Sequence, residues 1–307
     1  MTNHKDQITA QVIGIDIGGS AIKLGRYDVD GHCYQSLTVP TPQPATPAAV
    51  LAGIIKLIPQ IAQNVKQIKG IGIGLPGPVD GTGRISQIAI NLKNWENIPL
   101  AAQLEQKIGL PVIMANDANC AGLGEVWLGA GQGLDNVIVL TLGTGVGGAI
   151  ILNGQLFVGH NGAAGELGLI TLNPDGPDCN SGNNGSLEQY LSIQAIRRET
   201  GLDPAELAKK AIGGDEIACQ FWQQYGRLLG AGLASLIYVL TPEAIILGGG
   251  ISAGSALFIP STEAEIERRV LPQSRVGMQL LIAKLGNQAG TIGAAKLAIQ
   301  MFGLEEL

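Results

Sequence analysis

The sequence predicts an α/β protein of two domains, each built around a mixed sheet. Three observations lead there. Two glycine-rich turns sit in matching hairpin frames, one in each half of the chain. Apolar strands alternate with helix-period segments in both halves. The 307 residues, 46% hydrophobic and 14% charged, supply a large core under a thin charged coat and are enough for two domains of ordinary size.

The first frame runs Val12-Ile13-Gly14-Ile15-Asp16-Ile17-Gly18-Gly19-Ser20-Ala21-Ile22-Lys23 and closes at the turn signal Asp30-Gly31. Prolines at 40, 42, 44 and 47 then make a stiff connection with no room for a helix. Val50, Leu51, Ile54, Ile55, Leu57, Ile58 and Ile61 follow a helical period, so 48–65 reads as a helix. Residues 68–75 form a buried strand closed by Pro76-Gly77-Pro78, 100–108 a helix and 111–115 another buried strand. Asn116-Asp117 opens a helix that passes Leu123, Val126 and Trp127 and stops at Gly129.

The second frame is Val137-Ile138-Val139-Leu140-Thr141-Leu142-Gly143-Thr144-Gly145-Val146-Gly147-Gly148, closing at Asn153-Gly154. A polar, glycine-rich stretch over 173–185 follows, then helices from Leu187, Pro204 and Glu216, with apolar helix through 228–240. The strand 244–247 ends at Gly248-Gly249-Gly250, a strand near 279–283 follows, and the last helix spans 291–301. The expected bounds are 1–118 plus 290–307 for a smaller domain and 119–289 for a larger one, the final helix crossing back to the first half.

A net charge of −6 with scattered basic residues excludes a nucleic-acid backbone or an anionic membrane as partner. Cys33, Cys120, Cys179 and Cys219 lie far apart with no C-x-x-C pair. That usage fits a reduced, cytoplasmic setting, with Cys120 and Cys219 as core fillers. The polar N-terminus lacks a signal-peptide centre, and the longest apolar run is shorter than the roughly 20 residues a bilayer needs. A soluble protein is expected.

Glycines let backbone N–H groups face a phosphate with no Cβ in the way, and Ser20 or Thr144 adds a hydroxyl donor. One such turn is only a tight turn. Two in register suggest a duplicated unit with a nucleotide held by both copies.

The motifs Asp16-x-Gly18-Gly19-Ser20-x-x-Lys23, Gly74-Leu75-Pro76-Gly77, Asn91-Leu92-x-x-Trp95, Asn116-Asp117-Ala118-Asn119 and Leu142-Gly143-Thr144-Gly145 come in that order. Gly162-x-Ala164-Gly165-Glu166-x-Gly168, Glu188 and Leu247-Gly248-Gly249-Gly250 follow. Over nearly its whole length the chain resembles the ROK family of sugar kinases, a branch of the actin-like ATPase (ribonuclease H-like) fold with an interdomain cleft. The resemblance implies an ATP-dependent hexokinase, foremost a glucokinase making glucose 6-phosphate, with Mg²⁺ as cofactor and a homodimer as the assembly.

It assigns Asp117 as the base that deprotonates the sugar hydroxyl; from local sequence Asp117 or Asn116 is equally a helix cap. The helix dipole is expected to keep Asp117 ionised. Asp16, at the end of an apolar strand, either braces the turn or holds Mg²⁺ through water. Lys23 either approaches phosphate or ends a strand. Asn91, Asn116, Asp117, Glu166 and Glu188 match sugar contacts, and Trp95 reads as packing near them. Gly18, Gly19, Ser20, Gly143, Thr144 and Gly145 would hold phosphates. Gly248, Gly249 and Gly250 would receive adenosine or serve only as a tight turn. Gly290 and Gly293 suit close helix packing between the domains.

The pattern breaks at the family's structural zinc. Leu169 occupies its histidine position, and in Cys179-Asn180-Ser181-Gly182-Asn183-Asn184-Gly185-Ser186-Leu187-Glu188 only Cys179 remains of three cysteines. Neutral hydroxyls are poor substitutes for thiolates, so no zinc site is expected and the loop must be ordered by glycine turns and Asn or Ser side chains. Polyphosphate as donor, suggested by 41–47, and fructose, mannose or N-acetylhexosamine as acceptor stay open. A sugar-sensing repressor or a non-catalytic sugar binder is the reading from another class. Repressors add a helix-turn-helix, for which only about ten residues precede the first strand.

Overall fold

The computed structural model describes residues 10–62, 67–89 and 92–305. The end of the expected 48–65 helix and the sugar candidate Asn91 therefore lie outside the described residues. Contacts divide the chain into two compact units: Met1–Gln132 with Leu156–Ala164 and Asn287–Leu307, and Gly133–Gln155 with Gly165–Gly286.

Unit 1 begins with β1 (Gln11–Ile17), β2 (Ala21–Asp28), β3 (Cys33–Pro40), α1 (Pro47–Ala62) and β4 (Ile68–Leu75). It continues with β5 (Ser86–Ile88), β6 (Glu96–Ile98), α2 (Leu100–Ile108), β7 (Val112–Asn116) and α3 (Asp117–Leu128). The main sheet has the order β3-β2-β1-β4-β7, and β5 and β6 form a small hairpin. β1 is antiparallel to β2 and parallel to β4, which is parallel to β7. Ile13, Ile15, Ile54, Ile71 and Trp95 belong to its core.

Unit 2 comprises β8 (Val137–Leu142), β9 (Val146–Leu152), the first residue of β10 (Gln155–Leu156), α4 (Glu188–Leu191), α5 (Ile193–Thr200) and α6 (Pro204–Ile212). After them come α7 (Glu216–Leu240), β11 (Ala244–Gly248), α8 (Ile259–Arg269) and β12 (Gln279–Ile282). Its sheet order, β10-β9-β8-β11-β12, repeats that of unit 1. An antiparallel hairpin followed by parallel strands appears in both. Trp222, Tyr225 and Phe258 pack as an aromatic cluster against Leu229 and Leu233.

The last helix, α9 (Ala289–Met301), returns to unit 1. It lies on β1 and β4 because Gly14 and Gly72 are bare there; a Cβ at either would overlap the carbonyl of Thr291 or Ala294. It also meets α3 backbone to backbone, since side chains at Gly124 and Gly293 would collide with Ala289 and Cys120. This packing keeps α3 in unit 1, so the observed division falls after Gln132 and not at 118. The close packing foreseen between domains at Gly293 lies within this unit, and Gly290 faces the Asp16 carboxyl.

Four strands escape the sequence reading, among them the two-residue β10. β3 exposes alternate residues, and β5 and β6 are only three residues each, too short for a period. The cysteines are free; Cys120 and Cys179 are buried, Cys33 is exposed, and Cys219 is only half-buried, so it is a partial core filler at most. Among the described residues no helix is long and apolar enough to cross a membrane.

Candidate active site

In unit 1 the hairpin register fixes the first group. β1 and β2 pair Asp16 opposite Lys23, and Lys23 Nζ donates to Asp16 Oδ2 at 3.0 Å and to the Asn287 carbonyl at 3.2 Å. Lys23 therefore neither ends a strand idly nor stands apart from the acid: it is the counter-ion of Asp16. The turn between them is closed by Gly18 N–H donating to Ala21 O at 2.9 Å, with Gly19 and Ser20 exposed.

The second group sits where β7 meets α3. Asn116 is the helix cap: its Oδ1 accepts from Ala118 N at 2.8 Å and Asn119 N at 3.4 Å, while Nδ2 donates to Gly77 O at 3.2 Å. That settles the choice of cap left open by the sequence and leaves Asn116 less capacity for a sugar hydroxyl. Asp117, the first helical residue, is exposed, with Oδ1 accepting from Ala118 N at 2.8 Å.

Its surface reaches solvent, yet protein crowds the carboxyl. Desolvation pushes its pKa above the usual carboxylate value, and the charge of Asp16 pushes the same way. Backbone and Asn116 hydrogen bonds oppose this without overcoming it. The expectation that the helix N-terminus holds Asp117 simply ionised is thus incomplete. Asp117 is a strengthened base.

Two carboxylates in one electrostatic neighbourhood, one already carrying an ammonium ion at hydrogen-bond distance, are hard oxygen donors of the kind Mg²⁺ takes. The residues present fit that ion. Among the described residues, neither here nor elsewhere does a group of three or more His, Cys, Asp or Glu side chains converge to hold a metal, so the ion would draw its remaining ligands from water and phosphate.

In unit 2 the second turn is closed by Gly143 N–H donating to Gly145 O at 2.9 Å, with Thr144 exposed at its tip. Glu188, at the start of α4, reaches this turn: its Oε2 accepts from Val146 N at 2.9 Å. A Cβ at Gly145 would overlap that oxygen, so glycine is required there. No local signal foretells this contact, which joins residues 42 apart. Gly249 takes φ +83° and backs onto Leu142, next to Gly143, where a side chain would collide. The structure thus assembles Gly143–145, Glu188 and Gly248–250 in one unit. Glu166 is exposed at the head of a short 3-10 turn over 167–169.

The loop over 173–185 is held as foreseen for a chain without the zinc ligands. Asn183 Nδ2 donates to Leu169 O at 2.8 Å and Thr171 Oγ1 at 3.0 Å, and Asn184 Nδ2 donates to Asp178 Oδ1 at 2.9 Å. Ser181 Oγ–H donates to Cys179 Sγ at 3.3 Å, which lowers the thiol pKa against the effect of burial.

Residues 12–301 match the model of the ROK family. The chain belongs to the ROK family. It is 32% identical over 314 residues to a glucokinase of Thermotoga maritima, covering 95% of this chain and 98% of that one. A solved ROK glucokinase of Streptomyces griseus, in complex with glucose and AMPPNP, is 35% identical, with TM-score 0.77 over 95% of this chain and 100% of that one. A ROK hexokinase of Thermus thermophilus is 31% identical, with TM-score 0.85 over 95% of this chain and 99% of that one.

Proposed function

We propose that this chain is an ATP-dependent glucokinase that transfers the γ-phosphoryl group to the 6-hydroxyl of glucose. The observation that carries the reading is Asp117: a carboxylate freed from capping by Asn116, open to solvent, and made more basic by its surroundings. A base for an alcohol proton needs that combination of access and raised proton affinity.

Asp117 accepts the proton of the 6-hydroxyl as the hydroxyl oxygen attacks the γ-phosphorus and the bond from that phosphorus to the bridging oxygen of ADP breaks. Gly18, Gly19 and Ser20 offer backbone and hydroxyl donors to phosphate from unit 1, and Gly143, Thr144 and Gly145 from unit 2. Lys23 holds Asp16 in place beside them. Mg²⁺, held through Asp16, would neutralise charge on the transferring phosphates. Glu188, with one oxygen on the second turn, keeps the other for a sugar hydroxyl, and Glu166 and Asn116 complete the polar contacts. Gly248–250 receive the adenosine. Free cysteines accord with a cytoplasmic setting and the family resemblance with a homodimer.

The test is a panel of glucose, fructose, mannose and N-acetylhexosamines against ATP and polyphosphate, following product phosphorylation, with Asp117→Asn as control. Glucose with ATP should give the highest kcat/KM. A higher value for another pair reassigns the substrate, and no product with any pair removes the kinase reading in favour of a sugar sensor.

A further inference from the structure

We propose that residues 41–47 form a strap that couples the first phosphate turn to the loop orienting Asp117, with Thr41 and Trp95 as positioning residues. This rests on the kinase reading above for its functional meaning, but its contacts lie wholly in unit 1.

At one end the strap takes three successive carbonyls of the turn. Thr41 Oγ1–H donates to Gly18 O at 2.6 Å, Gln43 Nε2 to Gly19 O at 3.3 Å, and Thr41 N to Ser20 O at 3.0 Å. In a planar trans peptide the carbonyl and the next N–H point opposite ways. Anchoring these carbonyls therefore turns the N–H groups of Gly19, Ser20 and Ala21 away from the strap, the arrangement an anion-binding turn needs. Thr41 is 3% exposed, so its hydroxyl bond is made in protein and not in water.

At the other end the Ala45 carbonyl accepts from Trp95 Nε1 at 2.9 Å and Lys93 N at 3.2 Å. Trp95 O in turn accepts from Ala89 N at 3.2 Å. The Ile88–Ala89 backbone packs on Gly77, where a Cβ would collide, and Gly77 O accepts from Asn116 Nδ2 at 3.2 Å. Asn116 caps the helix whose first residue is Asp117. Between the two ends, Pro42, Pro44 and Pro47 restrict φ, and Thr46 Oγ1 accepts from Ala49 N at 3.3 Å at the start of α1. A stiff segment bonded at both ends transmits displacement where a flexible loop would absorb it.

Thr41→Val keeps the shape and deletes one donor; Thr41→Ser keeps the donor; Trp95→Phe deletes the indole donor. Thr41→Val should raise the KM for ATP about ten-fold with kcat within about two-fold, the scale of one lost hydrogen bond, and Thr41→Ser should restore it. Trp95→Phe should lower kcat more than it changes the ATP KM. The double variant should lose less in kcat/KM than the product of the single losses, since both cut one strap. Multiplying losses, or a Thr41→Val defect that serine does not rescue, overturn the proposal.

A second readout needs no catalysis. Thr41 and Trp95 hydrogen-bond to different residues, yet Thr41→Val should speed solvent exchange of the Trp95 indole proton while leaving that of Trp222, in unit 2, unchanged. Equal exchange at Trp95 in both proteins removes the strap, even if the hexose panel has already removed the kinase.

Discussion

The two units share a sheet order, yet they treat their glycine turns differently. In unit 1 the strand before the turn ends in Asp16, paired across the hairpin with Lys23; in unit 2 the matching positions are Thr141 and Gly147. The first turn is held from outside by neutral donors on its carbonyls, from Thr41 and Gln43. The second is held by the carboxylate of Glu188 on the Val146 N–H. One scaffold has been given charge on its strands in the first copy and charge at the start of a helix far along the chain in the second. The sheet sets where a turn stands, and what surrounds it sets which chemistry that turn serves. Asp117 and the Asp16–Lys23 pair thus stand together in unit 1, while in unit 2 the Glu188 carboxylate is committed to a turn.

Asp117→Asn is the sharpest way to break this contrast. It should lower kcat roughly 10²- to 10⁴-fold, the usual worth of a general base. Because the folded carboxyl is raised above its unfolded value, the ionised form costs stability at neutral pH; that cost disappears as pH falls below the unfolded value near 4. The amide escapes the cost, so the variant should melt at a higher temperature at pH 7. The wild-type acid limb of kcat/KM should accordingly lie above the ordinary carboxylate range of about 4, and be absent from the residual activity of the variant. Wild-type kcat, or a limb at the ordinary value, would remove Asp117 from the role.

Glu188→Gln probes the other unit. Replacing a charged acceptor by a neutral one that keeps the shape should lower kcat/KM roughly ten- to hundred-fold, raising the KM of both glucose and ATP if the side chain bonded to the turn at Val146 also meets the sugar, as proposed. A rise for glucose alone would show that the Val146 bond does not order the turn.

Lys23→Met is a smaller perturbation that separates two roles. As the counter-ion of Asp16, its loss should reduce the half-saturating Mg²⁺ concentration about two- to five-fold, the scale of a partly exposed ion pair. A raised KM for ATP with unchanged Mg²⁺ dependence would place Lys23 on phosphate instead. The smallest expected effect is none: a zinc-selective chelator, with Mg²⁺ in excess, should leave the melting temperature within about 1 °C, a change worth a fraction of a kcal/mol. Stoichiometric zinc in purified, tag-free protein would overturn that.

The hairpins, the buried strands and the helix opening at Asn116-Asp117 were legible because each is encoded locally, by a period of apolar residues and a turn or cap at its end. The order of motifs located the acids and glycines. What escaped was non-local. Nothing in the neighbourhood of Glu188 points to Val146, nor of Trp95 to Ala45, and the proline run 40–47 reads as a spacer until its donors are seen on Gly18 and Ser20. Only the Asp16–Lys23 pair was within reach, by counting outward from the turn at 18–21.

By itself, then, the amino-acid order determined the alternation of strands and helices and the two turns, since these follow from residue type and spacing along a single stretch, while Asp117 became the candidate base only through the family resemblance. Tertiary structure alone decided the unit boundary, through glycines that admit α9 against α3, and the proton affinity of Asp117, through burial and the field of Asp16. Both depend on groups far apart in the chain coming close in space, where sterics and low dielectric act at short range.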